Sequence, residues 1–326
     1  MMRHIGLMID TLNIHGGVRR CVEMANALVA RGHWVTLYSP AGEGCAWYPC
    51  VAENARWDKL KRHRLDALLM FGFNREMYTL ATESLARVKS LCLVSLNETA
   101  LDAVLEEREG SPTGLWRRTI QDKGWLILTC ASWIQAWVAE RLRPDAQLLL
   151  GGVNHTLFHP VPVKRAPGPL IMSSGDYRER EGSVAVREAV ELLCERGYPG
   201  ARWESYFKRG IPQEQMAATI RQAHVWLDGQ WYAGWANTVI EAMACRVPVV
   251  CTDIGGVRDF AIHEETALLV PVEDRGAMAD AVQRILEDTP LRHRLVNNGY
   301  AMSQRFSYAA MAERLEAIIE ERLLCD

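Results

Sequence analysis

GWANTVIEAMACRVPVVCTDIGG, residues Gly234–Gly256, reads as a loop, a helix, a buried strand and a glycine turn. The expected helix is Ala236–Cys245, with Glu241 near its middle, and the expected strand is Val247–Cys251. Gly255-Gly256 closes the unit. Such a unit brings a helix N-terminus, a carboxylate and a glycine-lined backbone close together, which suits a ligand that carries phosphate.

The same alternation of strand and helix extends in both directions. Upstream of residue 151, short apolar strands are expected at Ile5–Ile9, Val35–Tyr38, Ala67–Phe71, Leu91–Ser95, Leu126–Cys130 and Gln147–Leu150. Thr11–Gly17 reads as a loop ending in Gly16-Gly17. Val18, Cys21, Val22, Ala25, Leu28 and Val29 then recur at helical spacing over Val18–Arg31. Gly32 stops that helix. Helices also fit Arg75–Arg87 and Ser132–Leu142, while Asn97–Lys123 is irregular and mixed in charge. A βαβ start of this kind implies a parallel sheet with right-handed crossovers.

GGVNHTLFHPVPVKR, Gly151–Arg165, is rich in Gly and Pro and reads as a linker. A second alternating half follows. It has strands Leu170–Ser174, Trp203–Phe207 and Val225–Leu227, and helices Ser183–Arg196 and Pro212–Ala223, ahead of the stretch quoted above. Helices Asp274–Glu287, Pro290–Arg305 and Tyr308–Leu324 end the chain. At 326 residues the chain exceeds the size at which a single core usually divides, so two domains are expected.

Composition narrows the function classes. Hydrophobic residues are 49% and charged residues 24%, ordinary for a globular protein, and the net charge of -3 gives no general electrostatic attraction to nucleic acid. No apolar run reaches the ~20 residues of a membrane span. Nine scattered cysteines fit reduced thiols and a cytoplasmic location. Cys45 and Cys50, and the histidines His63, His155 and His159, lack the spacing of a metal site. Trp231 and Trp235, two of eleven tryptophans, flank the quoted stretch.

Taken together, HGGVRRCVEMANALVARGHWVTLYSP from His15, GGVNHTLF from Gly151, the loop Gly175–Gly182 and IEAMACRVPVVCTDIGGVRDF from Ile240 resemble the family 4 glycosyltransferases of the GT-B fold. The resemblance covers most of the chain and is strongest from Gly234 to Pro271. It implies two Rossmann-like domains facing across a cleft. An acceptor-side domain would span 1–160 and a nucleotide-sugar domain 161–306, with a helix over 307–326 crossing back to the first. It also implies sugar transfer from a nucleotide-diphospho-sugar with retention of configuration, without metal or other cofactor. The acceptor stays open among glycan, lipid, small molecule and modified nucleic acid, with peripheral membrane contact as a minority reading.

The resemblance carries over residue by residue. Glu241 matches the second glutamate of the family's pair and would bind the nucleotide ribose. Arg178 and Arg180 would hold the diphosphate. Gly16, Gly17, Gly255 and Gly256 would offer backbone N–H groups, and Asn237 and Thr238 would stand beside the donor. Two positions depart from the pattern. The first glutamate belongs eight residues before Glu241, where the chain has Ala233. Glu181 stands before Gly182, where the family has lysine. A carboxylate ~4 Å from a phosphate repels by about 4 kcal/mol at an effective dielectric of ~20. These departures motivate an alternative, a catalytically impaired GT-B protein that binds nucleotide or glycan; a third reading is a sugar-nucleotide epimerase. Arg246 stands where the family prefers glycine, at little cost if its backbone is not left-handed.

Overall fold

A computed structural model describes the chain except residues 15, 72–74, 85–91, 97–124, 142, 166, 176–181, 206–212 and 324–326. It divides into two compact units. The first comprises Met1–Gly152 and Tyr308–Asp326, and the second Val153–Ser307.

In the first unit, strands β1 (His4–Ile9), β2 (Trp34–Ser39), β3 (Glu53–Arg56), β4 (Ala67–Phe71), β5 (Cys92–Leu96), β6 (Leu126–Thr129) and β7 (Gln147–Leu148) form one parallel sheet in the order β3-β2-β1-β4-β5-β6-β7. Ile5 pairs with Val35 on one side and with Ala67 on the other. Runs such as ALLMF and LILT are buried at every position because helices cover both faces of a parallel sheet. The strand Glu53–Arg56 was not expected: only Ala55 of its four residues is buried, so this edge strand carries no apolar signature.

Helix Gly16–Ala30 lays Val18, Cys21, Val22, Ala25 and Leu28 on this sheet. Gly16 and Gly17 form its first turn, not the end of the preceding loop. The last helix, Tyr308–Leu323, packs into the same core through Tyr308, Met311, Ala312, Leu315, Ile318 and Ile319. Each of its larger apolar side chains contributes about 1.5–3 kcal/mol by burial. Polar clasps rim the contact. Glu316 binds both Arg31, through Nε at 2.7 Å and Nη2 at 2.6 Å, and His33 at 2.6 Å. Arg314 reaches Gln147 at 2.9 Å.

In the second unit, β8 (Leu170–Ser173), β9 (Arg202–Ser205), β10 (Val225–Asp228), β11 (Val249–Thr252) and β12 (Leu268–Val270) give a parallel sheet in the order β12-β11-β10-β8-β9. Helices Ser183–Glu195 and Arg275–Glu287 complete one core with Ile171, Leu227, Val250 and Leu268. Leu268–Val270 was also missed, being three residues long. The chain enters and leaves this unit side by side: Val153 bridges Ser307, and the Val153 N–H donates to the Phe306 carbonyl at 3.3 Å. Both units are α/β with doubly wound parallel sheets. Among the described residues, no helix is long and apolar enough to cross a membrane.

Candidate functional site

The order in which strands are added to the second sheet reverses between β8 and β10. From β8 the chain moves to β9 on one side, then returns to β10 on the other. Loops that leave the carboxyl ends of such neighbouring strands diverge and open a crevice, the usual ligand site of open α/β sheets. In this sheet those are the loops after β8 and β10, with the loop after β11 next to them.

They approach one another at glycines. Gly182, with φ +63°, caps helix Ser183–Glu195, and a Cβ there would lie 1.8 Å from the Gly229 carbonyl oxygen. A Cβ on Gly256 would lie 2.4 Å from the Ala233 carbonyl oxygen and 2.8 Å from the Ala233 methyl. The Ala236 N–H donates to the Gly256 carbonyl at 3.0 Å. The loop after β10 is thus seated on the 3-10 turn Gly255–Val257, with Ala233 buried at the contact.

Helix Asn237–Ala244 starts from this loop and matches the expected Ala236–Cys245 to within a residue at each end. Asn237 and Thr238 are half-buried at its start, and Glu241 is only 2% exposed. Ile240, Ala242 and Met243 around Glu241 are buried too, so this face of the helix turns inward. Burial pushes the Cys245 thiol up to about 12; Glu241 adds to the rise and Arg221 opposes it. Buried Arg221 donates to the carbonyls of His159 (2.7 Å) and Leu157 (2.9 Å), pinning the Gly-Pro-rich segment to this unit.

The helix ends in a Schellman arrangement. The Val247 N–H donates to the Ala242 carbonyl and the Arg246 N–H to the Met243 carbonyl, both at 3.0 Å. Arg246 therefore takes the left-handed position, φ 57°. This removes the condition under which arginine was expected to cost little. Its guanidinium lies 4.5 Å from the centroid of Tyr300, and Nη1 donates to Asn297 Oδ1 at 3.3 Å.

The structure thus brings Ala233, Asn237, Thr238, Glu241, Gly255 and Gly256 into one unit, on two loops and one helix. Gly16 and Gly17 belong to the other unit, after β1, where that sheet also reverses between β1 and β4. Arg178, Arg180, Glu181 and His15 lie outside the described residues, as does 97–123. Asp228 was not foreseen. It ends β10 at 1% exposure and accepts the Gln230 N–H at 3.1 Å and the Thr238 hydroxyl at 3.4 Å. An acid closing the apolar run VWLD before a glycine was the available signal. The indole N–H groups of Trp231 and Trp235 are buried and find no acceptor among the described residues. The Trp235 ring packs edge-on against Phe260 and Phe306, 5.0 and 5.3 Å between centroids. Among the described residues, no group of three or more His, Cys, Asp or Glu is placed to hold a metal ion.

Comparison with known proteins follows the same outline. Residues 200–302 match the family described as Glycosyl transferases group 1. The chain is 33% identical over 159 residues to the lipopolysaccharide core biosynthesis mannosyltransferase LpsB of Rhizobium meliloti, covering 48% of this chain and 40% of that one. It is 31% identical over 211 residues to the phosphatidyl-myo-inositol mannosyltransferase of Mycobacterium leprae, covering 56% of each. The chain thus spans well under two thirds of the length of these relatives. The solved structure of Anabaena HepE in complex with UDP-glucose superposes with a TM-score of 0.74 at 12% identity, covering 98% of this chain and 100% of that one. That likeness shows the GT-B fold.

Proposed function

We propose that the chain acts as a group 1 glycosyl transferase, the family its residues 200–302 match, and moves a sugar from a nucleotide-diphospho-sugar to an acceptor with retention of configuration. The observation that carries this reading is the seating of the loop after β10, where the strand order reverses, on the Gly255–Val257 turn, with Glu241 buried on the helix that this loop enters. Cleaving a glycosyl–phosphate bond builds positive charge on the sugar ring and negative charge on the leaving diphosphate. The site must offer donors to the diphosphate and acceptors to the hydroxyls. Backbone N–H groups at Gly255, Gly256 and Thr238 are assigned to the diphosphate, aided by Arg178 and Arg180, with Asn237 beside the donor. Glu241 is assigned to the ribose. Gly16 and Gly17, in the first unit, are assigned backbone contacts of their own to the donor, and the reading calls on no metal or other cofactor.

Ala233 leaves the sugar without a carboxylate at that position. Removing one group that acts in the transition state commonly costs ~10²–10³ in rate, so slow turnover is expected. Ala233→Glu is expected to recover part of it.

Thermal unfolding of the full chain with UDP, UDP-glucose, GDP and GDP-mannose tests the reading. A ligand at 100 times its Kd stabilises by ~2.7 kcal/mol, and Glu241→Gln should shrink that shift. No shift with any of the four sinks the proposal. A product of inverted anomeric configuration, read by NMR, removes the retention part alone.

A further inference from the structure

Position 233 carries only a methyl, yet a different carboxylate stands five residues upstream. Asp228 is almost wholly buried at the end of β10. Its Oδ1 accepts the Gln230 N–H at 3.1 Å, and its Oδ2 accepts the Thr238 hydroxyl at 3.4 Å. The loop that carries Ala233 runs between these two partners. The Thr252 hydroxyl further fixes it by donating to the Gln230 carbonyl.

Thr238 is half-buried, so this residue keeps surface that Asp228, 1% exposed, lacks. A hydroxyl has one hydrogen. Once it is given to a carboxylate, the oxygen can only accept, and the bond polarises it into a better acceptor. Thr238 can then accept a hydrogen bond from a ligand hydroxyl but cannot donate to a phosphate oxygen. A sugar hydroxyl can supply that hydrogen; an ionised diphosphate cannot.

Position fits this chemistry. Thr238 lies on the same helix as Glu241, and the entry to that helix is tied to Gly256 by the Ala236 N–H at 3.0 Å. Trp231 and Trp235, on the same loop, hold buried indole N–H groups with no acceptor among the described residues. Buried donors are ordinarily satisfied, so these two indoles call for acceptors beyond the described residues, and the oxygens of a bound sugar can serve as such.

We infer that the Asp228–Thr238 pair reads a hydroxyl of the donor sugar, doing through a polarised hydroxyl what a carboxylate at 233 would do directly. Thr238 makes the contact and Asp228 is its positioning residue. The inference rests on the nucleotide-sugar reading above.

Calorimetric titration of the full chain with UDP and UDP-glucose, and with GDP and GDP-mannose, tests it. Thr238→Val and Asp228→Asn should each weaken the nucleotide sugar about 10-fold while the matching nucleoside diphosphate changes less than about twofold. Thr238→Ser, which keeps the hydroxyl, should restore the wild-type value. The double variant should be no weaker than either single one, because both act through one hydroxyl. Thermal melts check that the variants fold; Thr238→Val carries the test if Asp228→Asn does not. The inference alone is overturned if Thr238→Val weakens both ligands equally or neither. A wild-type chain that binds none of the four ligands overturns the nucleotide-sugar reading as well.

Discussion

Gly16 and Gly17 sit in the first turn of a helix, one exposed and one half-buried, while Gly182 and Gly256 are wedged against the backbone of neighbouring loops. The first unit fixes its glycine-led helix by side chains: an apolar face on the sheet and on Tyr308–Leu323, and an ionic clasp of Arg31 and His33 by Glu316 at the far end. The second unit fixes its loops by backbone contact. Loops held this way leave little room for a Cβ, and they keep backbone N–H groups close to any ligand. Glycine is thus required by packing at Gly182 and Gly256 of the second unit, whereas Gly16 and Gly17 stand on a helix turn that is exposed or half-buried.

The largest expected effect tests this difference. Gly182→Ala places a methyl on the Gly229 carbonyl and forces a side chain into the left-handed region. Overpacking and the conformational penalty together cost about 2–5 kcal/mol, a fall in melting temperature of roughly 5–15 °C. Gly256→Ala should cost about 1–3 kcal/mol, since its φ is not left-handed but its Cβ still meets Ala233. Gly16→Ala, on the exposed first turn, should stay within about 0.5 kcal/mol of wild type. Equal destabilisation by Gly16→Ala and Gly182→Ala in thermal melts would erase the distinction.

A middle-sized effect probes the clasp. The Arg31 guanidinium, with help from His33, holds the Glu316 carboxyl down at about 2, against its usual 4.5. A depressed carboxyl stabilises the fold fully above its unfolded value and loses that contribution as pH falls toward the folded one. Glu316→Gln should therefore lower stability by about 1–2 kcal/mol at pH 5 and above. The gap from wild type should close between about pH 4.5 and 2. Denaturant titrations at several pH values measure it, and a gap that persists unchanged at pH 2 would remove Glu316 as its source.

Much of this was legible beforehand, for definite reasons. Continuous apolar runs such as Ala67–Phe71, recurring between helical stretches, can only be strands covered on both faces, which dictates parallel α/β units. Glu241 could be singled out because it sits alone among apolar helix residues, and it is indeed buried. What escaped detection had no local signature. Glu53–Arg56 is a strand because it pairs with Thr36–Ser39, not because of its own residues. Asp228 matters through Thr238, ten residues away, a contact that exists only once the loop is folded. The pressure of Gly256 on Ala233 likewise joins two different loops.

Arg246 is the exception that refines the comparison, and it carries the smallest expected effect. It holds a left-handed position in the second unit without being glycine. The backbone cost is about 1–2 kcal/mol. The guanidinium over Tyr300 and the bond to Asn297 return about 0.5–1 kcal/mol at this exposed site. Two substitutions separate these contributions. Arg246→Gly removes both the strain and the contact, so stability should be unchanged or rise by up to about 1 kcal/mol. Arg246→Ala keeps the strain and loses the contact, so it should fall by about 0.5–1 kcal/mol. The expected order in chemical denaturation is Gly, then Arg, then Ala. Arginine tolerates this place because its side chain reaches a neighbouring helix, an option closed at Gly182, where the obstacle is backbone. If Ala matches or exceeds Arg, the Tyr300 contact contributes nothing, and another source must offset the left-handed backbone.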